Sequence, residues 1–221
     1  MRCIAHRGFA GDFPENTVAA VRQAAGTADL IEVDVRRCGS GELVAIHDST
    51  VDRVTGAAGR VVDFTAEELG ELDVLGSGVG VPTLRAVFEA IPDSVGVVLD
   101  LKVPDVAADA LAVAEAAGND VLVSSFDGQI LDEVAATDSR TPPLALVFDE
   151  APDDALERAR RHECVAVHPH WQLCSREFVR TAHDLSFSVH GWPVDSRDAV
   201  RELRRAEADG LIADRRRFCP S

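Results

Sequence analysis

Residues 30–47 contain two predicted strands whose short link separates a hairpin from the rest of a parallel sheet. Residues 30–36 read LIEVDVR, residues 37–42 read RCGSGE and residues 43–47 read LVAIH. The two apolar, β-branched runs are typical of strands, and the six residues between them are too few for a parallel crossover. A glycine-containing link of this length favours a hairpin. We therefore predict that residues 43–47 fold back antiparallel to residues 30–36.

Similar apolar runs alternate with helical patterns along the whole chain, which is typical of βαβ units around a parallel sheet. The predicted strands are Cys3 to His6, Leu30 to Arg36, Leu43 to His47, Val95 to Lys102, Val121 to Phe126, Leu144 to Phe148, Val165 to His168, Phe187 to Trp192 and Gly210 to Asp214. Without the hairpin strand, eight of these strands remain, which predicts a (β/α)8 barrel that is short for its class at 221 residues. An open doubly wound sheet is the alternative.

Helices are predicted after most strands, at Pro14 to Ala25, Pro82 to Ile91, Asp105 to Ala117, Gly128 to Ala136, Asp153 to Glu163, Ser175 to Leu185 and Ser196 to Ala208. Residues 48–80 do not follow this repeat. They contain a capping box from Thr65 to Glu68, which indicates a short helix, and a glycine-rich exit at residues 76–80. We predict a small insertion beside the barrel mouth, within a single domain that spans residues 1–221.

The charge balance excludes two classes of partner. The chain has 22 basic and 38 acidic residues, for a net charge of -16, which disfavours binding to nucleic acid or stable association with an anionic membrane. No apolar run approaches the roughly 20 residues of a spanning helix, and no signal-peptide pattern follows Met1. We expect a soluble, cytoplasmic protein whose partner is a small molecule, while the oligomeric state is left open.

Two residue types add to this expectation. Of the basic residues 21 are arginine and one is lysine, Lys102, and this bias among many acidic residues is typical of proteins from a halophilic cytoplasm. The five cysteines are odd in number and lack any C-x-x-C spacing. This pattern argues against a disulfide framework and for a reducing compartment.

Polar residues gather where the predicted strands end. In a (β/α)8 barrel the carboxyl ends of the strands meet at one mouth, where functional residues concentrate. Residues two apart on a strand point to the same face, and the hairpin returns its last residue to the rim of the carboxylates. The residues placed there are His6, Arg7, Glu32, Asp34, His47, Asp100 and Lys102.

This set of side chains suits a phosphate ester. Carboxylate oxygens are the ligands that Mg2+ and Ca2+ prefer, and Arg7 and Lys102 can offset phosphate charge. Two histidines can divide the acid and base roles of a hydrolysis. A single strand-end histidine is more often structural, so the prediction depends on the joint placement of the set.

The motifs at these positions are similar to those of the glycerophosphodiester phosphodiesterase family. The chain has AHRG at 5–8 with PENT at 14–17, IEVDV at 31–35, IHD at 46–48, VPTL at 81–84 and SSF at 124–126. Near its end, WPVD at 192–195 stands where the family usually has W-T-V-N, and DGLIAD at 209–214 where it usually has D-G-I-I-T-D. The resemblance runs from Cys3 to about Arg215.

The resemblance implies a metal-dependent hydrolase that converts glycerophosphodiesters to glycerol 3-phosphate and an alcohol. It implies that His6 and His47 are the acid and base, without saying which is which, and that Arg7 and Lys102 contact phosphate. The cofactor would be one divalent cation, Mg2+ or Ca2+, with Mn2+ as a third candidate.

The implied metal ligands are Glu32, Asp34 and Asp100. The family usually has E-x-K on the strand that reads Asp100-Leu101-Lys102 here. Aspartate is shorter by one methylene, about 1.5 Å of reach, so direct ligation by Asp100 is left open.

The role of Trp192 and two alternative functions are left open by the sequence. Trp192 either packs on the glycerol or alcohol part of a substrate at the mouth or belongs to the core. A phospholipase-like lyase that stops at a cyclic phosphate and a catalytically silent, phosphate-binding barrel are the alternative functions. A zinc site at Cys164, His168, His170 and Cys174 is disfavoured because their spacing fits no standard pattern.

Overall fold

The computed structural model of this chain describes residues 1–137 and 141–220. Its strands are β1 Arg2–Ala5, β2 Leu30–Arg37, β3 Leu43–Ala45, β4 Gly96–Leu101, β5 Val121–Ser125, β6 Leu144–Phe148, β7 Ala166–Pro169, β8 Ser188–Val194 and β9 Gly210–Ala213. All pairings except that of β3 are parallel, and β1 pairs with β2 on one side and with β9 on the other. The sheet is therefore closed, which confirms the (β/α)8 barrel and excludes the open doubly wound sheet.

The predicted hairpin is present. Strand β3 runs antiparallel to β2, with Val35 opposite Ala45 and Arg37 opposite Leu43. The strand ends at Ala45, two residues before the predicted end, although the Ile46 N–H still donates to the Asp34 carbonyl of β2 at 3.1 Å. His47 thus follows the strand and lies at its rim.

Eight helices lie in the described part of the chain, and most surround the barrel. They are α1 Val18–Ala24, α2 Ala66–Glu71, α3 Leu84–Phe88, α4 Ala107–Ala117, α5 Gly128–Ala135, α6 Pro152–Arg161, α7 Arg176–Asp184 and α8 Arg197–Ala206. The predicted start of the first helix at Pro14 is wrong by four residues. Asn16 has a φ of 57°, which no helix interior allows, and Thr17 caps the helix by accepting from the Ala20 N–H at 3.2 Å.

Residues 48–80 form the predicted insertion, which has its own apolar cluster. The cluster joins the insertion to the hairpin and consists of Cys38, Val44, Ile46, Val51, Val54, Val61, Leu69, Val74 and Val81. Helix α2 begins with the predicted capping box between Thr65 and Glu68. A Cβ at Gly39 would lie 2.6 Å from the Val62 carbonyl oxygen, so the hairpin loop needs glycine to approach the insertion.

The main core lies between the barrel and the surrounding helices, and a smaller one fills the barrel interior. Buried Ile4, Val98 and Ile212 form the interior cluster. No helix among the described residues is long and apolar enough to cross a bilayer.

No disulfide framework was expected, and the described residues contain one disulfide. Cys3 and Cys219 form a disulfide, with their Cα atoms 5.3 Å apart. They are 216 residues apart in sequence, and the pairing of β1 with β9 brings the two ends of the chain together. Cys38, Cys164 and Cys174 are free and buried.

Candidate active site at the barrel mouth

A cavity of about 290 Å³ opens at the carboxyl ends of the strands. Seven of the eight residues predicted for the site line it, namely His6, Arg7, Glu32, His47, Asp100, Lys102 and Trp192. The eighth, Asp34, is fully buried and lies in ion-pair contact with Arg7 and Lys102. The structure therefore brings the whole predicted set together.

Three buried carboxylates form the acidic cluster of the site. Glu32 and Asp34 are two residues apart on β2, and the parallel register places Asp34 beside Asp100 of β4. Each side chain offers an oxygen within 4.8 Å of the other two. Among the described residues, this is the one group of three or more histidine, cysteine or acidic side chains close enough to hold an ion, so the zinc set at Cys164 does not assemble.

Two cations are held against the carboxylates. Arg7 Nε lies 3.0 Å from Asp34 Oδ2, and Lys102 Nζ lies 2.9 Å from Asp34 Oδ1. Lys102 also donates to Asp100 Oδ2. Burial opposes ionisation of Asp34, but Lys102 and Arg7 outweigh it and hold the pKa of this carboxyl well below its usual range.

Glu32 behaves in the opposite way. Its Oε2 accepts a hydrogen bond from the Arg7 backbone N–H at 2.8 Å. Burial raises the pKa of Glu32 well above its usual range, and repulsion from Asp34 and Asp100 adds to the shift. A further positive charge beside this carboxylate would stabilise its ionised form.

The acidic cluster fits a divalent cation. Its donors are all carboxylate oxygens, which hard cations prefer, and the buried Asp34 Oδ1 has no hydrogen bond despite its ion pair with Lys102. Asp100 differs from the other two, because its Oδ1 already accepts from Ser124 Oγ at 3.0 Å and its Oδ2 from Lys102. Glu32 and Asp34 would therefore hold the ion most directly.

Each histidine of the site is paired with a carboxylate through Nδ1. His6 Nδ1 lies 2.5 Å from Asp214 Oδ1, and His47 Nδ1 lies 2.6 Å from Asp48 Oδ1. A carboxylate accepts, so each Nδ1 carries a proton and Nε2 is the nitrogen available to a substrate. Burial lowers the pKa of His47, and the attraction of Asp34 offsets only part of that shift.

Sheet register explains the first of these pairs. His6 follows Ala5 at the end of β1, Asp214 follows Ala213 at the end of β9, and Ala5 pairs with Ala213. Asp214 and Asp48 lie within the DGLIAD and IHD motifs, which by themselves predict no role for either residue. Their position directly after a strand end and directly after His47 was the signal available.

The PENT segment, residues 14–17, forms side-chain hydrogen bonds that hold Arg7 and Asp34 in place. The predicted helix over residues 14–25 did not anticipate these contacts. Glu15 accepts from Arg7 Nη1 at 2.9 Å. Asn16 Nδ2 donates to Asp34 Oδ2 at 2.7 Å, and its Oδ1 accepts from the Asp34 N–H at 3.3 Å. The left-handed backbone at Asn16 is what turns its side chain to β2.

Two aromatic side chains, Phe126 and Trp192, form an aromatic wall of the cavity. The rings of Phe126 and Trp192 meet edge to face with centroids 5.5 Å apart. Trp192 Nε1 donates to the His168 carbonyl at 2.8 Å, which fixes the indole at the cavity. Trp192 also packs on the interior cluster, so both interpretations left open for it describe part of its surroundings.

Comparisons with known proteins agree with this geometry. Residues 6–217 match the model of the glycerophosphoryl diester phosphodiesterase family. A curated relative, the glycerophosphodiester phosphodiesterase of Caldanaerobacter subterraneus subsp. tengcongensis, is 33% identical over 227 aligned residues that cover 96% of this chain and 93% of the relative.

Solved structures show the same fold. The glycerophosphodiester phosphodiesterase of Thermotoga maritima is 27% identical, with a TM-score of 0.82 and coverage of 97% of this chain and 94% of that one. The enzyme of the same name from Agrobacterium tumefaciens is 25% identical, with a TM-score of 0.83 and coverage of 99% and 98%. Because the family model matches nearly the whole chain, the protein belongs to the glycerophosphoryl diester phosphodiesterase family.

Proposed function

We propose that this chain hydrolyses glycerophosphodiesters to glycerol 3-phosphate and an alcohol, as one domain that uses one divalent cation. The observation that carries the proposal is the joint presence, at one barrel mouth, of a carboxylate cluster, two half-buried cations and two histidine–carboxylate pairs. Family membership supports the same reaction.

Glu32 and Asp34 would hold the cation, and Asp100 would complete the cluster either directly or through its contacts with Lys102 and Ser124. When bound, Mg2+, Ca2+ or Mn2+ supplies positive charge that polarises a phosphoryl oxygen. Arg7 and Lys102 keep their charge beside the cavity, because burial is outweighed by the carboxylates that raise the pKa of both. They bind and orient the phosphate group.

The two histidines would move the protons of the reaction. Water attacks phosphorus while the bond from phosphorus to the alcohol oxygen breaks. One Nε2 takes a proton from the attacking water, and the other Nε2 gives a proton to the departing alcohol. Asp48 and Asp214 hold the Nδ1 proton of each ring, so that the opposite nitrogen exchanges protons with the substrate.

The aromatic wall would take the part of the substrate that is not phosphate. Trp192 and Phe126 offer an apolar surface in the same cavity as the acidic cluster. An apolar wall with few polar groups binds carbon groups and leaves orientation to the charged side. We expect the glycerol or the alcohol moiety to pack there.

The experiment that tests this function uses three substrates and three metals. The purified chain is incubated with glycerophosphocholine, glycerophosphoethanolamine or glycerophosphoglycerol, each with Mg2+, Mn2+ or Ca2+, and phosphorus NMR follows the products. Glycerol 3-phosphate supports the proposal. Accumulation of a cyclic phosphate would identify the lyase, and no turnover in any combination would identify a silent binding barrel.

A salt-rich cytoplasm is our proposal for the location. The net charge of -16 and the use of arginine at 21 of 22 basic positions support it, as do the three free cysteines, whereas the Cys3–Cys219 disulfide does not. Salt screens the repulsion between surface carboxylates. We expect the melting temperature to rise between about 0.1 and 2 M KCl, and a falling melting temperature would contradict the halophilic assignment.

A further inference from the structure

Arg53 of the insertion contacts two residues that support different halves of the site. Its Nε donates to Asp48 Oδ2 at 2.6 Å, and its Nη1 and Nη2 donate to the two oxygens of Glu15 at 2.7 and 2.8 Å. The other oxygen of Asp48 holds His47 Nδ1, and Glu15 also binds Arg7. The Arg53 guanidinium therefore connects Asp48, which holds His47, to Glu15, which holds Arg7.

The backbone that carries Arg53 is held on both sides. Val51 and Val54 are buried in the cluster of the insertion. The Val51 N–H donates to the Gly59 carbonyl at 3.0 Å, and the Val54 carbonyl accepts from the Leu75 N–H at 2.8 Å. The fold of the insertion thus fixes the point from which the guanidinium reaches the site.

The guanidinium fixes which way the Asp48 carboxylate points. Its fork needs an acceptor at Nε, and Asp48 Oδ2 supplies it, so Oδ1 is turned to His47. Without the Arg53 donor, the Asp48 carboxylate can rotate at little cost in free energy, and the His47 imidazole loses a fixed hydrogen-bond partner. A lysine cannot replace the fork, because an ammonium has no fixed geometry for three simultaneous hydrogen bonds.

We propose that Arg53 is a positioning residue of the active site, which acts through Asp48 to hold His47 with its Nδ1 proton directed away from the substrate. The proposal rests on the proposed hydrolysis for its kinetic consequence. The insertion thereby becomes part of the catalytic apparatus, although Arg53 itself touches neither the acidic cluster nor the cavity wall.

The purified chain is tested with Arg53→Lys, Arg53→Met and the control Arg60→Met. Arg60 lies in the same insertion and makes a comparable forked contact with Asp63, at 2.9 and 2.7 Å, on the exposed surface away from the cavity. We expect both Arg53 variants to lower kcat about tenfold or more with KM changed by less than about threefold. The Arg60 variant should keep kcat within about twofold.

Two kinetic outcomes would overturn the proposal. An Arg53→Met protein with kcat within about twofold of the parent would show that Arg53 only anchors the insertion. Recovery of kcat in Arg53→Lys would show that charge, and not the fork, matters. The double variant Arg53→Met with Asp48→Asn should be no slower than Asp48→Asn alone, because both changes act on one path, and additive losses would contradict that path.

A spectroscopic readout keeps the test separate from turnover. Nitrogen-15 shifts of the imidazole report its tautomer, and the His47 signals are identified by their loss in His47→Ala. We expect a single Nδ1-protonated form in the parent chain and in Arg60→Met, and a mixture of tautomers in Arg53→Met. If the parent cleaves no diester, the proposed function fails, and unchanged His47 signals in Arg53→Met would still overturn the positioning role on their own.

Discussion

The two histidine–carboxylate pairs of the site are built from different parts of the molecule. His6 and Asp214 are 208 residues apart, and the register between β1 and β9 brings them together. His47 and Asp48 are neighbours in sequence, and a contact from the insertion orients them. Closure of the barrel thus positions one imidazole, whereas a small separate cluster positions the other.

Two similar hydrogen bonds can therefore depend on the stability of different parts of the same molecule. The His6 pair depends on the pairing of β1 with β9, which closes the barrel. The His47 pair depends on the insertion, whose apolar cluster is separate from the main core, so we expect it to open more readily than the barrel. The pairs should therefore respond alike to changes in the chemistry of the site and differently to changes in their support.

Metal removal should have the largest effect, and it should act on both pairs alike. Chelation with excess EDTA is expected to abolish turnover, because the charge that polarises the phosphate is lost. Glu32→Gln and Asp34→Asn should weaken metal affinity, since a neutral amide replaces a charged ligand. Isothermal titration with Mn2+ and turnover in EDTA measure both effects, and full activity in EDTA would contradict the metal requirement.

Removing either imidazole should have the next largest effect. His6→Ala and His47→Ala are each expected to lower kcat by about 100-fold or more, because each removes a proton-transfer group. His183→Ala is the matched control, because His183 also contacts an aspartate, Asp209, at 2.8 Å but lies on the surface. Steady-state kinetics on folded variants decides it, and near-normal kcat in His47→Ala would remove that residue from the mechanism.

Exchanging the carboxylates for amides separates the two pairs. In Asp48→Asn, Arg53 Nε still donates to an oxygen, so the amide nitrogen turns toward His47 Nδ1. Because that nitrogen donates, His47 Nδ1 must accept and the imidazole proton moves to Nε2, which is the wrong tautomer. Among the described residues, Asp214 has no second side-chain partner, so Asp214→Asn can turn its oxygen to His6. We expect kcat to fall about thirtyfold in Asp48→Asn and about threefold in Asp214→Asn. Equal losses would show that the support of the two pairs does not differ.

The lone lysine belongs to neither pair, and its replacement should have a smaller effect than Asp48→Asn. Lys102 Nζ contacts both Asp34 and Asp100, and the lysine side chain is only 12% exposed. The broader guanidinium of Lys102→Arg therefore has little room. We expect kcat/KM to fall about tenfold, or about 1.4 kcal/mol of transition-state stabilisation. Lys102→Met is the comparison without charge. An unchanged kcat/KM in Lys102→Arg would mean that lysine at this position is accidental.

Local patterns predicted the residues of the site better than the contacts among them. The spacing of Glu32 and Asp34, the short hairpin link and the strand ends at His6 and Lys102 are features of single elements, and the structure places them as expected. The fold class alone predicts that these residues lie at one barrel mouth, because all parallel strands end on the same side.

Partners far apart in sequence could not be found in this way. The contact of His6 with Asp214 and the disulfide of Cys3 with Cys219 both depend on the register of β1 against β9, which spacing does not determine. Asn16 lies in a segment with helical periodicity, and its bonds to Asp34 override that pattern. Periodicity describes one element at a time and does not include such tertiary contacts.

The disulfide also makes the polypeptide a closed covalent ring. Cys3 and Cys219 are 216 residues apart, so every peptide bond between them lies within the loop that they close. A single cut by a protease, for example in the glycine-rich segment at residues 76–80, would leave one connected molecule with its barrel strands still joined. Cutting this chain once is therefore equivalent to moving its termini, and separation into fragments requires either a second cut or a reductant.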